Sequence, residues 1–190
     1  MDDTEAREAV VGAADRLFYG RGIQSVGMDE IRTAAGISLK RMYSLFPSKE
    51  TILAEVLRRR NEEWTSGILL AARDEPTPDA KLLSIFDFLS AWFAQDDFRG
   101  CAFINSFGEL GASAPLVADA ARAHKVGFQQ YVAGLAAEAG APPSLAPQIA
   151  LLAEGAQTTA AIAGTPDAAA DARAAAAILI DAAGSRSPGA

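Results

Sequence analysis

Lys40, Arg41, Tyr43 and Lys49 gather in one stretch near the amino end, AAGISLKRMYSLFPSKETIL from Ala34 to Leu53, with Ser38 and Ser44 among them. Ammonium, guanidinium and hydroxyl groups are donors suited to phosphate oxygens. A guanidinium can also read the O6/N7 edge of a guanine through two parallel hydrogen bonds. The charge distribution points the same way. The chain carries a net charge of -7, yet Arg16 to Arg60 holds nine basic and four acidic residues, a net of +5. From Asn61 to Ala190 there are seven basic and fifteen acidic residues, a net of -8. A basic segment on an acidic chain is the footprint of nucleic-acid contact. The competing interpretation is a solvated charged face with no partner.

Other chemistries find little support. The single histidine, His124, and single cysteine, Cys101, leave no triad, no disulfide and no zinc spacing. Two acids could act as a pair, as Glu109 with Asp119, but nothing singles them out; no enzyme, cofactor or metal is expected. Cys101 is expected to be a buried packing residue and His124 a solvated or satisfied one, given its neighbour Lys125. Half of the 190 residues are apolar, enough for a core, and no apolar run approaches the roughly 18 residues of a membrane span. The acidic start, Met1-Asp2-Asp3-Thr4-Glu5, is unlike a secretory signal, and the expected location is the cytoplasm.

The elements that position these groups are helices throughout: the expected class is all-α, with about nine of them. Ala6, Val10, Ala13, Ala14, Leu17 and Phe18 recur at three and four residues, with Thr4 as the expected cap. A short helix fits Met28 to Ala35, with Gly27 ahead of it and Glu30 as in a capping box. After Gly36, Ser38 caps a third helix, Leu39 to Leu45, which Pro47 ends. Ser48 caps a long fourth helix carrying Ile52, Leu53, Val56, Leu57, Trp64 and Ile68. Later helices are expected near Asp79–Gln95, Cys101–Leu110, Pro115–Glu138, Leu145–Ala163 and Asp167–Ala183. The expected domains are residues 1–48 and 49–184, with a disordered tail at 185–190. No flexible linker separates the first two.

At 100° per residue, the third helix places Met42 and Phe46 on one side, where Ile37 joins them in a small core. Lys40 and Ser44 lie opposite, Arg41 and Tyr43 on the flanks, and Leu39 and Leu45 at the margins. Two short helices around a tight glycine turn form a helix-turn-helix, whose second helix can enter a major groove. Lys49 sits at a helix start, where the helix dipole disfavours a cation and favours a docked phosphate.

The run Gly36-Ile37-Ser38, Leu39-Lys40-Arg41, Met42-Tyr43, Ser44-Leu45, Phe46-Pro47-Ser48-Lys49-Glu50 resembles the DNA-binding module of the tetracycline-repressor family of transcriptional regulators. Ala14 and Phe18 through Gly22 resemble that family's first helix and glycine stop. The likeness is dense over residues 5–57. It departs at Val26-Gly27, where a Thr-Ser or Thr-Thr pair is usual, so the family's hydroxyl cap and one of its phosphate contacts are not implied there. The resemblance implies that Tyr43 and Lys49 hold backbone phosphates and that Ser38 caps the recognition helix. It also implies that Leu39, Lys40, Arg41 and Ser44 face the groove. Arg41 is the candidate for guanine; Leu39 either touches a thymine methyl or packs in the core.

The rest of the chain is rich in aromatic residues, of which Trp64, Phe86, Trp92, Phe103, Phe107 and Phe128 are candidates to line an effector pocket. Core packing is the alternative for each. By the resemblance, this module would bind a small apolar or aromatic effector. The last two helices are alanine-rich and apolar nearly all round, as an interface between two copies would be. The resemblance implies a homodimeric repressor released from a near-palindromic double-stranded operator by that effector.

Overall fold

A computed structural model describes residues 1–184; the tail expected at 185–190 lies outside the described residues. Among these, all regular structure is helical: α1 (Asp3–Arg21), α2 (Met28–Ala35), α3 (Leu39–Leu45), α4 (Lys49–Ala72), α5 (Pro78–Phe93), α6 (Ala102–Leu110), α7 (Pro115–Glu138), α8 (Leu145–Ala163) and α9 (Asp167–Gly184). Side-chain caps explain many starts. Ser38 accepts from Arg41 N, Thr77 from Ala80 N, and Ser48 Oγ from Thr51 N. Thr4 does not cap α1. Asp2 does, accepting Glu5 N at 2.9 Å while Glu5 Oε2 accepts Asp2 N at 2.8 Å. That closed box starts the helix one residue before Thr4. Gly27 has no side chain to cap α2, so only the Glu30 half of its box exists, with Gly27 N donating at 3.2 Å. The Arg21 guanidinium, 2.7 Å away, and that same N–H hold the Glu30 carboxyl below the usual range.

Packing divides the chain into two compact units. The first comprises Met1–Glu62 with Ala102–Arg122, so it holds α1 to α3, the first half of α4, α6 and the start of α7. Val10, Ala14, Phe18, Ile31, Met42, Ile52, Leu53, Val56 and Leu57 form its buried set. Arg60 on α4 donates to Asp15 on α1 at 2.7 Å, and its guanidinium lies 4.3 Å from the Tyr19 ring centre. This line differs from the expected one after residue 48. The apolar stripe of α4 from Ile52 to Leu57 is buried with the amino-terminal helices, and α6 joins them through Glu109.

The second unit comprises Glu63–Cys101 and residues from Ala123 onward. Here α5, α8 and α9 pack together. Its core takes Leu82, Ile85, Phe86 and Leu89 from α5, and Ile149, Ala153, Ala156 and Ala160 from α8. From α9 come Ala169, Ala172, Ala176 and Ile180. Alanine at the contact lets helix axes approach closely. Arg173 on α9 grips Asp87 on α5 with two hydrogen bonds, at 2.8 and 3.3 Å. Gly67 is a further close approach: a Cβ there would lie 2.4 Å from the Phe88 ring.

Candidate nucleic-acid interface

The turn between α2 and α3 is set by Gly36, whose φ of +67° is left-handed and favours glycine. Its N–H donates to Thr33 O, and Ile37 N donates back to Arg32 O, both at 3.2 Å. Those bonds satisfy the last carbonyls of α2 and bring Ile37 inward. Ile37, Met42, Leu45 and Phe46 are all buried, which fixes the rotation of α3. Arg7 on α1 locks its far end. The guanidinium donates to Leu45 O at 2.9 Å and lies 4.7 Å from the Phe46 ring centre. A cation at the carbonyl end of a short helix is favourable.

With its inner face pinned, α3 turns the other residues outward. Ser38, Leu39, Lys40, Tyr43 and Ser44 are exposed and Arg41 is half-buried. Leu39 is 42% exposed, so of its two expected roles core packing is ruled out in this state. Leu45, placed at the margin, is buried. Ser44 Oγ donates to Arg41 O at 2.7 Å, the local bond that a serine in the last turn of a helix commonly makes.

Two expected DNA contacts are engaged within the protein. Arg41 donates to Met1 O at 2.8 Å and to Asp3 Oδ1 at 3.1 Å. Lys49 Nζ donates to Ile23 O, and lies 5.7 Å from the Phe18 ring centre. The Arg41–Asp3 pair is exposed, and such pairs hold weakly enough for a phosphate or a base edge to displace them; the Lys49 contact is a part-buried hydrogen bond to a backbone carbonyl.

The aromatic candidates do not all meet. Trp64 is the hub of a cluster in the second unit, with Phe88, Trp92, His124 and Phe128 edge-on to it at centroid distances of 5.4 to 5.7 Å. Phe86 is sealed in the same unit's core. Phe103 and Phe107 do not join them. Both are on α6, which packs with the first unit, where Phe103 is buried and Phe107 is 53% exposed. Phe88, absent from the expected set, belongs to the cluster. His124 is buried rather than solvated; burial, and secondarily Lys125, push its pKa down to about 4. Cys101 is buried as expected. Glu109 and Asp119 do not form an acid pair. Glu109 accepts from the α1–α2 turn, and Asp119 pairs with Arg122 at 2.6 Å. Among the described residues no acid, histidine and cysteine cluster could hold a metal.

Residues 10–56 match the family described as bacterial regulatory proteins, tetR family. The transcriptional activator FasR of Mycolicibacterium smegmatis is 34% identical over 89 residues, 45% of this chain and 41% of its own. The regulator EthR of the same organism is 27% identical over 135 residues, 70% of this chain and 54% of its own. The matches thus span about two-fifths to a half of these relatives. SCO4454, a TetR-family transcriptional regulator from Streptomyces coelicolor, shares the fold with a TM-score of 0.88 at 24% identity, over 95% of this chain and 97% of that one. The glycine-turned helix pair thus lies inside the stretch that matches the tetR family of bacterial regulatory proteins, and the nine helices of the described residues share their fold with SCO4454.

Proposed function

We propose that this protein is a cytoplasmic, homodimeric repressor that binds a near-palindromic operator and releases it on binding a small apolar or aromatic effector. The observation that carries the DNA role is the split character of α3. Met42 and Leu45 are buried while Lys40, Tyr43 and Ser44 face outward beside Arg41 and Lys49. A helix so pinned offers a cationic, hydrogen-bonding ridge to a major groove. Ser38, Tyr43 and Lys49 serve the phosphates; Leu39, Lys40, Arg41 and Ser44 serve the bases. In functional terms residues 1–48 read DNA, and residues 49–184 answer to effector and partner. FasR is named an activator; repression is our reading for this chain.

Support for the effector role comes from Trp64. Its indole N–H is buried and meets no acceptor among the described residues. Buried donors are nearly always paired, so an aromatic effector bearing an acceptor atom has a partner waiting beside Trp92 and Phe128. A thermal-shift screen of small aromatic acids and amides, with and without operator DNA, tests this part.

Gel retardation with duplexes selected from a random pool tests the DNA role. Arg41→Ala should lose discrimination at one base pair, about 1–3 kcal/mol. Measured affinities that still rank the four bases alike at every position would remove Arg41 from base reading. Lys49→Ala should weaken all duplexes uniformly and reduce the salt slope of log K by about one. An unchanged slope would take Lys49 away from the phosphates.

A further inference from the structure

Glu109 lies in the first unit, on α6, and its carboxylate serves the turn between α1 and α2. Oε1 accepts Ile23 N and Oε2 accepts Gln24 N, each at 3.1 Å, while the side chain of Gln24 donates back to Glu109 O at 2.9 Å. The fit is close. Gly22, with φ at +85°, leaves room that a Cβ would fill at 3.2 Å from both carboxylate oxygens. These partners are 85 and 86 positions away in sequence. The residue whose N–H Glu109 holds is also the one whose carbonyl accepts from Lys49 Nζ. Ile23 is thus gripped from two sides, by an acid on α6 and by the ammonium at the start of α4. Beside this grip, α1 and α6 border a cleft of about 320 Å³ lined by Asp15, Tyr19, Ile23, Ser106 and Glu109.

We propose that Glu109 is a positioning residue for DNA binding: it holds the Ile23-Gln24 turn so that Lys49 is presented to phosphate, and it makes the setting of α6 a control on that presentation. This rests on the DNA-binding role proposed above. The physical basis is local. Two backbone N–H groups bonded to a carboxylate are charge-assisted contacts. Without them the two backbone amides lose their acceptors, and the turn keeps its local bonds, Ser25 Oγ to Arg21 O and Gly22 O and Val26 N to Ile23 O, with the Gln24 side chain on Glu109 O and Lys49 on Ile23 O as its longer-range ties. A loosened turn lets the Ile23 carbonyl, and with it the Lys49 side chain, sample many positions, and a phosphate contact made by a wandering ammonium is weakened.

The test combines Glu109→Ala, Glu109→Gln and Lys49→Ala in the full chain. Affinity for a selected duplex is followed against salt, and amide exchange at Ile23 and Gln24 is followed alongside. Glu109→Ala is expected to speed exchange at both amides, weaken binding about tenfold, within the usual range for coupled sites, and lower the salt slope by about one. Glu109→Gln keeps one acceptor oxygen and should fall between, which keeps the test available if the alanine variant folds poorly. In the Lys49→Ala background the Glu109 substitutions should cost less than about twofold more, because the contact they disturb is already gone. An equal loss in both backgrounds, or wild-type affinity in Glu109→Ala, overturns the positioning role. Failure of the unmodified protein to bind any duplex would instead sink the functional reading itself, and the positioning role with it.

Discussion

Placing aspartate at both Leu151 and Ile162 is expected to make the protein monomeric and to lower its affinity for a two-half-site duplex by about 10²–10⁴-fold. The two positions are eleven residues apart, three helical turns, and share one face of α8 with Gly155 and Thr158. They are 71% and 83% exposed, and Ile178 on α9 is 69% exposed. Inner faces of α8 and α9 are consumed by α5 and by each other, and these outer residues are left largely exposed among the described residues. A Cβ added at Gly155 would meet no atom within 4 Å, which is the open space a facing helix would occupy. Two buried carboxylates per copy make that face repellent to itself. Affinity for a single half-site should be unchanged, because α3 is untouched. Sedimentation of the double variant as a dimer, with operator affinity intact, would show that α8 is not the interface.

Stability should fall by about 3 kcal/mol as pH drops from 6.5 to 4, through His124 alone. In the folded chain its pKa is pushed down to about 4 by burial against Trp64, with Lys125 adding to the effect. Unfolded histidine titrates near 6.5, so between these values the unfolded chain binds the extra proton. By linkage the contribution is complete above pH 6.5, declines as pH falls, and is lost below about 4. Carboxylates titrate at the lower end of that window, so the quantity to measure is a difference. Denaturant unfolding of wild type minus that of His124→Gln should slope with pH between 6.5 and 4 and be flat above. A difference independent of pH would show that the imidazole titrates normally and is not sequestered.

What the chain disclosed in advance was the part written in neighbouring residues. The limits of α3, and its inner face of Met42 and Phe46, follow from Ser38, Gly36, Pro47 and one turn of helical periodicity, all within a dozen positions. Helix α8 was placed by the same kind of signal, between Ser144 and Gly164. Contacts between distant positions left no such trace. Arg7 capping the end of α3, Glu109 on Ile23 and Gln24, and Asp3 on Arg41 join residues 38 to 86 positions apart, and a lone charge does not announce its partner. The cap of α1 lies two residues earlier than the one expected at Thr4, because Asp2 closes a box with Glu5. His124 was legible after all. Ala121, His124, Phe128, Val132 and Leu135 recur at three and four residues, so the histidine is on the buried stripe of α7. Phe103 and Phe107 were grouped with Trp64 on aromatic character alone, which carries no information about which unit α6 joins.

The central claim is that α3 and the start of α4 dock on duplex DNA. It is tested most directly by selecting bound duplexes from a random pool and titrating the winner with salt, for wild type and Lys49→Ala side by side. The account predicts an enriched sequence with two related halves spaced by about one helical turn, and a steep fall of log K with log salt that is shallower by about one in the variant. No enriched sequence, with binding in dilute buffer that ignores salt, would contradict it.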